Sequence, residues 1–237
     1  MRILLIVFLF ALSFTSFSQK NDLGSWSVIN TKLNLSSKWS LFNELQLRSQ
    51  SFYNNFFYYE IKGGVSYAIN KNFSFLLGGG KYMTYTNYGN FEKPVTSDEW
   101  RFWQQITMNH YLERIKFEHR YRIEQRWYKN GDYRNRFRYR LAAALPLNRK
   151  KIEPGAFYAS SFNEVFFTNT EPFFERNRFF VGLGYQFEKY FTLQLGWVYQ
   201  YDYRNNEGTG KHYFQLTLMF ELNAELNKSK KIPINED

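Results

Sequence analysis

The chain has 237 residues, no cysteine and a formal charge of +10, and its 26 Phe, 19 Tyr and 6 Trp make 22% of it aromatic. Without cysteine there are no disulfides and no thiolate metal sites, and three scattered histidines do not make a metal cage. Positive charge with interleaved rings is a composition that nucleic-acid binders share, but here the charges alternate along strands instead of collecting in a tail or a recognition helix, so neither nucleic acid nor a cofactor is expected as a partner.

Met1-Arg2, the ten apolar residues from Ile3 to Leu12 and the small Ser16 and Ser18 have the layout of a secretory signal peptide over 1–18, cut after Ser18. The apolar run is too short to span a bilayer as a helix, and no later run reaches eighteen apolar residues. About 219 residues remain, enough for one domain. A chain without such a helix can cross a membrane only as a closed barrel, because unpaired backbone groups are too costly in lipid.

From here the period is two. Ser25 to Leu35 is a weak strand without clean sidedness. Leu41, Leu45 and Leu47 then alternate with Phe42, Glu44, Gln46 and Arg48, and Phe57, Tyr59, Ile61 and Val65 with Glu60, Lys62 and Gly64. The next strand, from Phe73 to Thr86, turns Phe73, Phe75, Leu77 and Met83 outward and holds Gly78-Gly79-Gly80, where glycine marks a bend or close packing. A phosphate cradle would need a following Gly-Lys-Ser/Thr and a helix, which are missing. A loop over 87–97 leads to Glu99, Arg101, Trp103 and Gln105, which oppose Trp100, Phe102 and Ile106.

The clearest hairpin runs from Arg114 to Ala144. Charges fill Arg114, Lys116, Glu118, Arg120, Arg122, Glu124 and Arg126, and after the turn Lys129-Asn130-Gly131-Asp132 they fill Arg134, Arg136, Arg138 and Arg140. Each run covers roughly a dozen residues. At about 3.3 Å per residue and a tilt of about 40°, that matches an outer-membrane hydrocarbon layer. Further strands are read at 157–167, 175–187, 191–204 and 212–222. Short turns near 36, 71, 112 and 188 alternate with longer connections at 49–55, 87–97, 129–133, 168–174 and 205–210, the pattern of short periplasmic turns and long external loops, which the polar connection at 146–155 breaks by its length. The expected fold is an all-β, transmembrane, antiparallel up-and-down β-barrel over 19–222, with a polar tail over 223–237. Eleven segments can be counted. Single-chain bacterial barrels have even numbers, so ten strands are preferred, with the weak first segment outside the wall, and twelve are held open.

The inward parity collects a candidate lumen charge network of Glu44, Arg48, Glu60, Glu99, Arg101, Glu118, Arg120, Arg122, Glu124, Arg126, Arg134, Arg136, Arg138, Arg140, Glu164, Arg176 and Arg178. Guanidinium forks bind carboxylates in pairs, and a narrow barrel packs its interior, so a mostly packed lumen is expected. Rings of Arg also select anions, which makes a narrow anion-preferring path the sharper reading. No catalytic residue stands out: His110, His119 and His212 fall on the outward parity with no serine beside them. The tyrosines near loop ends, Tyr82, Tyr85, Tyr88, Tyr199, Tyr201 and Tyr203, read as an interfacial girdle.

The ordered set of Trp26, Lys38-Trp39, Glu44 and Arg48, Glu99, Arg101, Trp103-Gln104-Gln105, Arg120, Glu124-Gln125-Arg126, Arg136, Arg138-Tyr139-Arg140, Asn163-Glu164 and Asn177-Arg178 with Gly182-Leu183-Gly184-Tyr185 resembles an uncharacterised family of bacterial outer-membrane barrels catalogued as domain of unknown function 2490. The resemblance implies a barrel in the outer membrane and brings no activity, substrate or catalytic residue. Expected partners are outer-membrane lipid, the barrel-assembly machinery and a small anionic solute. The expected role is structural, interactive or that of a narrow pore. A lipid-acting outer-membrane enzyme of the phospholipase or deacylase type and a soluble periplasmic β-sandwich that binds a ligand are the alternatives.

Overall fold

The computed structural model describes residues 23–86, 89–204 and 207–224. The expected signal segment 1–18, Tyr88 and all but the first two residues of the 223–237 tail lie outside the described residues. Eleven strands follow one another: β1 (Gly24–Asn34), β2 (Trp39–Ser51), β3 (Asn54–Ala68), β4 (Phe73–Tyr85), β5 (Val95–Leu112), β6 (Ile115–Tyr128), β7 (Tyr133–Pro146), β8 (Ala156–Thr168), β9 (Phe174–Glu188), β10 (Phe191–Arg204) and β11 (Glu207–Asn223). Each pairs with its neighbour in sequence, and β1 closes the ring on β11.

The sheet therefore closes on itself and does not divide into the two layers of a sandwich. Its strand number is neither ten nor twelve. The weak first segment is a wall strand, paired antiparallel with β2 and parallel with β11. An odd number of strands that alternate in direction has to meet in one parallel pair. The remaining pairs are antiparallel, as expected.

Alternation sets which face each residue takes, and the barrel is inside out compared with a water-soluble domain. Leu183 and Trp100 point outward and are 59% and 60% exposed, whereas Glu124 points inward and is fully buried. Even the 11-residue β1 covers about 28 Å at about 3.3 Å per residue and a tilt of about 40°.

Several strands run further than sequence alone indicates. β5 starts at Val95, inside the expected loop 87–97, and Glu207 and Gly210 pair with Arg204 and Tyr201 instead of forming a turn. Asn223 completes β11 opposite Asn34. β2 also runs on to Ser51 and β3 starts at Asn54, so the connections at 52–53 and 205–206 have two residues each. Connection length, which the sequence offered as a guide to sidedness, no longer separates the rim carrying 86–94 (the upper rim) from the rim carrying 147–155 (the lower rim).

The long lower connection is tied down. Arg114 sits in the turn between β5 and β6, not on the inner wall, and its Nη2 donates to the carbonyl oxygens of Pro146 and Arg149 at 2.6 Å each. Asn148 bonds Gly155 and Phe157 across the base of the connection.

The inward glycines answer the question raised by Gly78-Gly79-Gly80. A Cβ on Gly78 would lie 2.4 Å from the Trp103 ring, and one on Gly196 would lie 2.4 Å from the Phe180 ring. Close packing is the reason for both: each glycine makes room for a ring lying flat on the wall. Phe180 in turn joins Trp26, Val28, Val198 and Tyr213 in a small apolar core inside the barrel, where β1 meets β9, β10 and β11.

Candidate lumen site

The charges on β5 through β9 face one another across the lumen. Register places Arg120 opposite Arg140, Arg122 opposite Arg138 and Arg126 opposite Arg134, and like charges set directly across a strand pair repel. Two carboxylates relieve that repulsion at the first two pairs. Glu124 accepts from Arg136 at 2.5 Å, from Arg138 and from Arg122 at 3.4 Å, with Arg101 4.0 Å away. Glu164 accepts from Arg120 at 2.5 Å, Arg138 at 2.8 Å and Arg178 at 3.4 Å.

Around these centres the network continues. Glu99 takes Arg101 at 2.6 Å and Arg126 at 2.8 Å, and nearer the lower rim Arg140 pairs with Glu118. On the facing wall Lys62 bridges Glu44 at 2.6 Å and Glu60 at 2.5 Å, while Arg48 comes only within 3.7 Å of Glu60. Arg176 donates to Asp202 at 2.5 Å. Arg134 is exposed, lines the lumen near the upper rim and makes no ion pair among the described residues.

Three members of the network lie outside the seventeen read from sequence. Lys62 and Asp202 have the inward parity and were legible as such. Glu175 has the wrong parity and could not be found by alternation. Phe166 pairs with Arg176 and Phe167 with Phe174, so Glu175 is an extra residue on β9. Such a bulge re-aims a side chain. Glu175 turns into the lumen and reaches Arg126 at 3.3 Å and Arg136 at 3.2 Å.

Rings hold the guanidiniums in place without neutralising them. Arg48 lies 3.6 Å from the centre of the Trp26 ring and 4.2 Å from that of Tyr58, Arg101 lies 3.7 Å from that of Tyr82, and Arg138 lies 4.5 Å from that of Phe166. Tyr82, expected in the outer girdle, is thus a lumen residue, 2% exposed.

Between these groups runs a cavity of about 1500 Å³. Its lining extends from Lys116, Glu118 and Ala144 toward the lower rim to Asn130, Thr170 and Arg204 at the upper one. The lumen therefore combines a tightly paired belt of Arg and Glu with open space along its length. With Lys62, Glu175 and Asp202 included, the network holds twelve cationic side chains against eight carboxylates. The surplus is positive.

The histidines take part in none of this. His119 Nδ1 bonds the Tyr139 hydroxyl at 2.8 Å and its ring stacks on His110, while His212 stacks on Trp197 and Tyr199. Tyr85 packs with Tyr59 and Phe91, and Tyr201 and Tyr203 with Phe174. Among the described residues, no three His, Asp or Glu side chains group as metal ligands.

No curated protein matches the chain. One family model does, over residues 23–211, from β1 into β11. The chain belongs to the family described as protein of unknown function (DUF2490).

Proposed function

We propose that this chain is an integral outer-membrane barrel whose lumen provides a narrow, anion-preferring path. The observation that carries the reading is the cavity lined from Lys116 to Arg204 by more cations than carboxylates, because rings of Arg and Lys favour anions in a confined pore.

The outer wall supports the membrane setting. At the lower rim the rings of Phe157, Tyr185, Phe187, Phe191 and Phe220 pack each against the next, with ring centres 4.4–5.4 Å apart. At the upper rim Tyr59, Tyr85 and Phe91 form one cluster and Trp127 and Tyr133 another. Two aromatic bands flanking an apolar wall are how barrels meet the two membrane interfaces. Two pairs of amides on that wall satisfy each other, as lipid favours: Gln104 with Gln125, and Asn163 with Asn177.

Single-channel recording of the refolded protein in a planar bilayer, under a potassium chloride gradient, tests the reading. Discrete openings are expected, with a reversal potential displaced toward that of chloride. Arg134→Glu with Arg204→Glu is expected to move it toward potassium. These two exposed positions are chosen because reversing a buried arginine would leave Glu124 or Glu164 unpaired. A stably inserted barrel with no conductance rejects the path and leaves a structural or interaction role.

A further inference from the structure

The positive surplus is not spread evenly around the lumen. Arg136, Arg138 and Arg120 each lie within 2.8 Å of a carboxylate oxygen. Arg48 does not. It is 6% exposed, its nearest carboxylate oxygen is 3.7 Å away on Glu60, and Glu60 is already held by Lys62 and by the Tyr58 hydroxyl. Nη2 donates to Gln46 Oε1 at 2.8 Å, while the buried Nε has no hydrogen-bond partner among the described residues.

Trp26 and Tyr58 also lie against the guanidinium of Arg48. A planar guanidinium packed on rings has its in-plane edge left to give, and that edge matches the two oxygens of a carboxylate or phosphate. A second donor, unpartnered among the described residues, lines the same cavity two strands away. Tyr82 is directly across the strand pair from Glu60, lines the same cavity, and has a buried hydroxyl with no partner among the described residues. Arg178 lies 4.6 Å from the same Trp26 ring and adds positive charge there.

The geometry points to an oxyanion-binding subsite on the β1–β4 wall of the lumen, with Arg48 Nε and the Tyr82 hydroxyl as its donors. It takes the carboxylate or phosphate group of a small solute. The subsite deepens the reading of the lumen as an anion path and rests on it for its biological use, but binding can be measured without conductance.

Isothermal titration of the full refolded chain in nanodiscs at low salt, with inorganic phosphate in one arm and succinate in the other, provides the test. Saturable binding of at least one anion is expected. Arg48→Lys, which keeps the charge and loses the in-plane donor edge, should weaken it at least tenfold, and Tyr82→Phe several-fold. Lys71→Gln, in the turn between β3 and β4, removes a charge outside the lumen and should leave it unchanged. Each variant is first checked for the heat-modifiable mobility of a closed barrel. Binding by phosphate alone identifies a phosphate site, and binding by succinate alone a carboxylate site. Wild-type protein that binds neither, or closed Arg48→Lys and Tyr82→Phe barrels that bind as wild type does, overturns the subsite. Arg48-dependent binding in a barrel that does not conduct keeps the subsite and rejects the path.

Discussion

Glu124 is the side chain on which the packed belt depends. It is fully buried and accepts from three arginines. Breaking a buried ion pair from one side costs about 3–5 kcal/mol, because the partner charge is left without compensation. Glu124→Gln keeps the shape and removes the charge, so the barrel should lose about that much stability against guanidinium chloride in lipid vesicles. Glu118→Gln breaks a pair whose side chains are 22% and 27% exposed, and a partly solvated pair is worth about 1 kcal/mol or less. Equal losses for the two variants would show that the belt is not held by its central carboxylate. Parity made Glu124, Glu164 and the β6–β7 arginines readable from sequence, since a strand of alternating charge has one face for charge. It could not show that Glu175 joins them, because a bulge resets the parity; Tyr82, beside the outward Met83, has the inward parity, and its expected place in the girdle rested only on its being a tyrosine near a loop.

Among the elements, β1 departs furthest from the sequence-based expectation, and its own composition explains why. Its inward residues Trp26 and Val28 meet Phe180, Val198 and Tyr213 in the small internal core, while Ile29 faces outward and is exposed. With apolar residues on both faces the alternation fades, and the segment reads as no wall strand at all. The pairing with β11 is also parallel, which is slightly weaker per residue than antiparallel pairing. Register places Ser27 opposite Leu216 in this seam. Ser27→Cys with Leu216→Cys should therefore form a disulfide on mild oxidation, whereas Ser27→Cys with Leu222→Cys, six residues along the strand, should not. In a ten-stranded barrel closed by β2 and β11, with the first segment outside the wall, neither pair would cross-link, and the eleven-stranded closure would be wrong.

For the molecule as a whole, the barrel was legible because twelve-residue runs of period two leave few other ways to satisfy both faces. Its sidedness was not legible. Connection lengths read from sequence separated two rims because the end of β2 and the starts of β3 and β11 were left out of the strands that include them. Strand number gives a firmer handle. With eleven strands, the first residue of β1, Gly24, lies at the upper rim and the last of β11, Asn223, at the lower rim; an even-stranded barrel has both on one side. In the outer-membrane setting proposed above, the two rims face different compartments. An epitope inserted immediately before Leu23 and a second, in a separate variant, immediately after Ala224 should therefore differ in antibody access on intact cells: one is reached from outside, and the other only after the outer membrane is permeabilised. Which of the two is reached fixes the orientation. If both are reached, or neither is until permeabilisation, the ends share a compartment, and the parallel β1–β11 seam cannot close the barrel in the membrane.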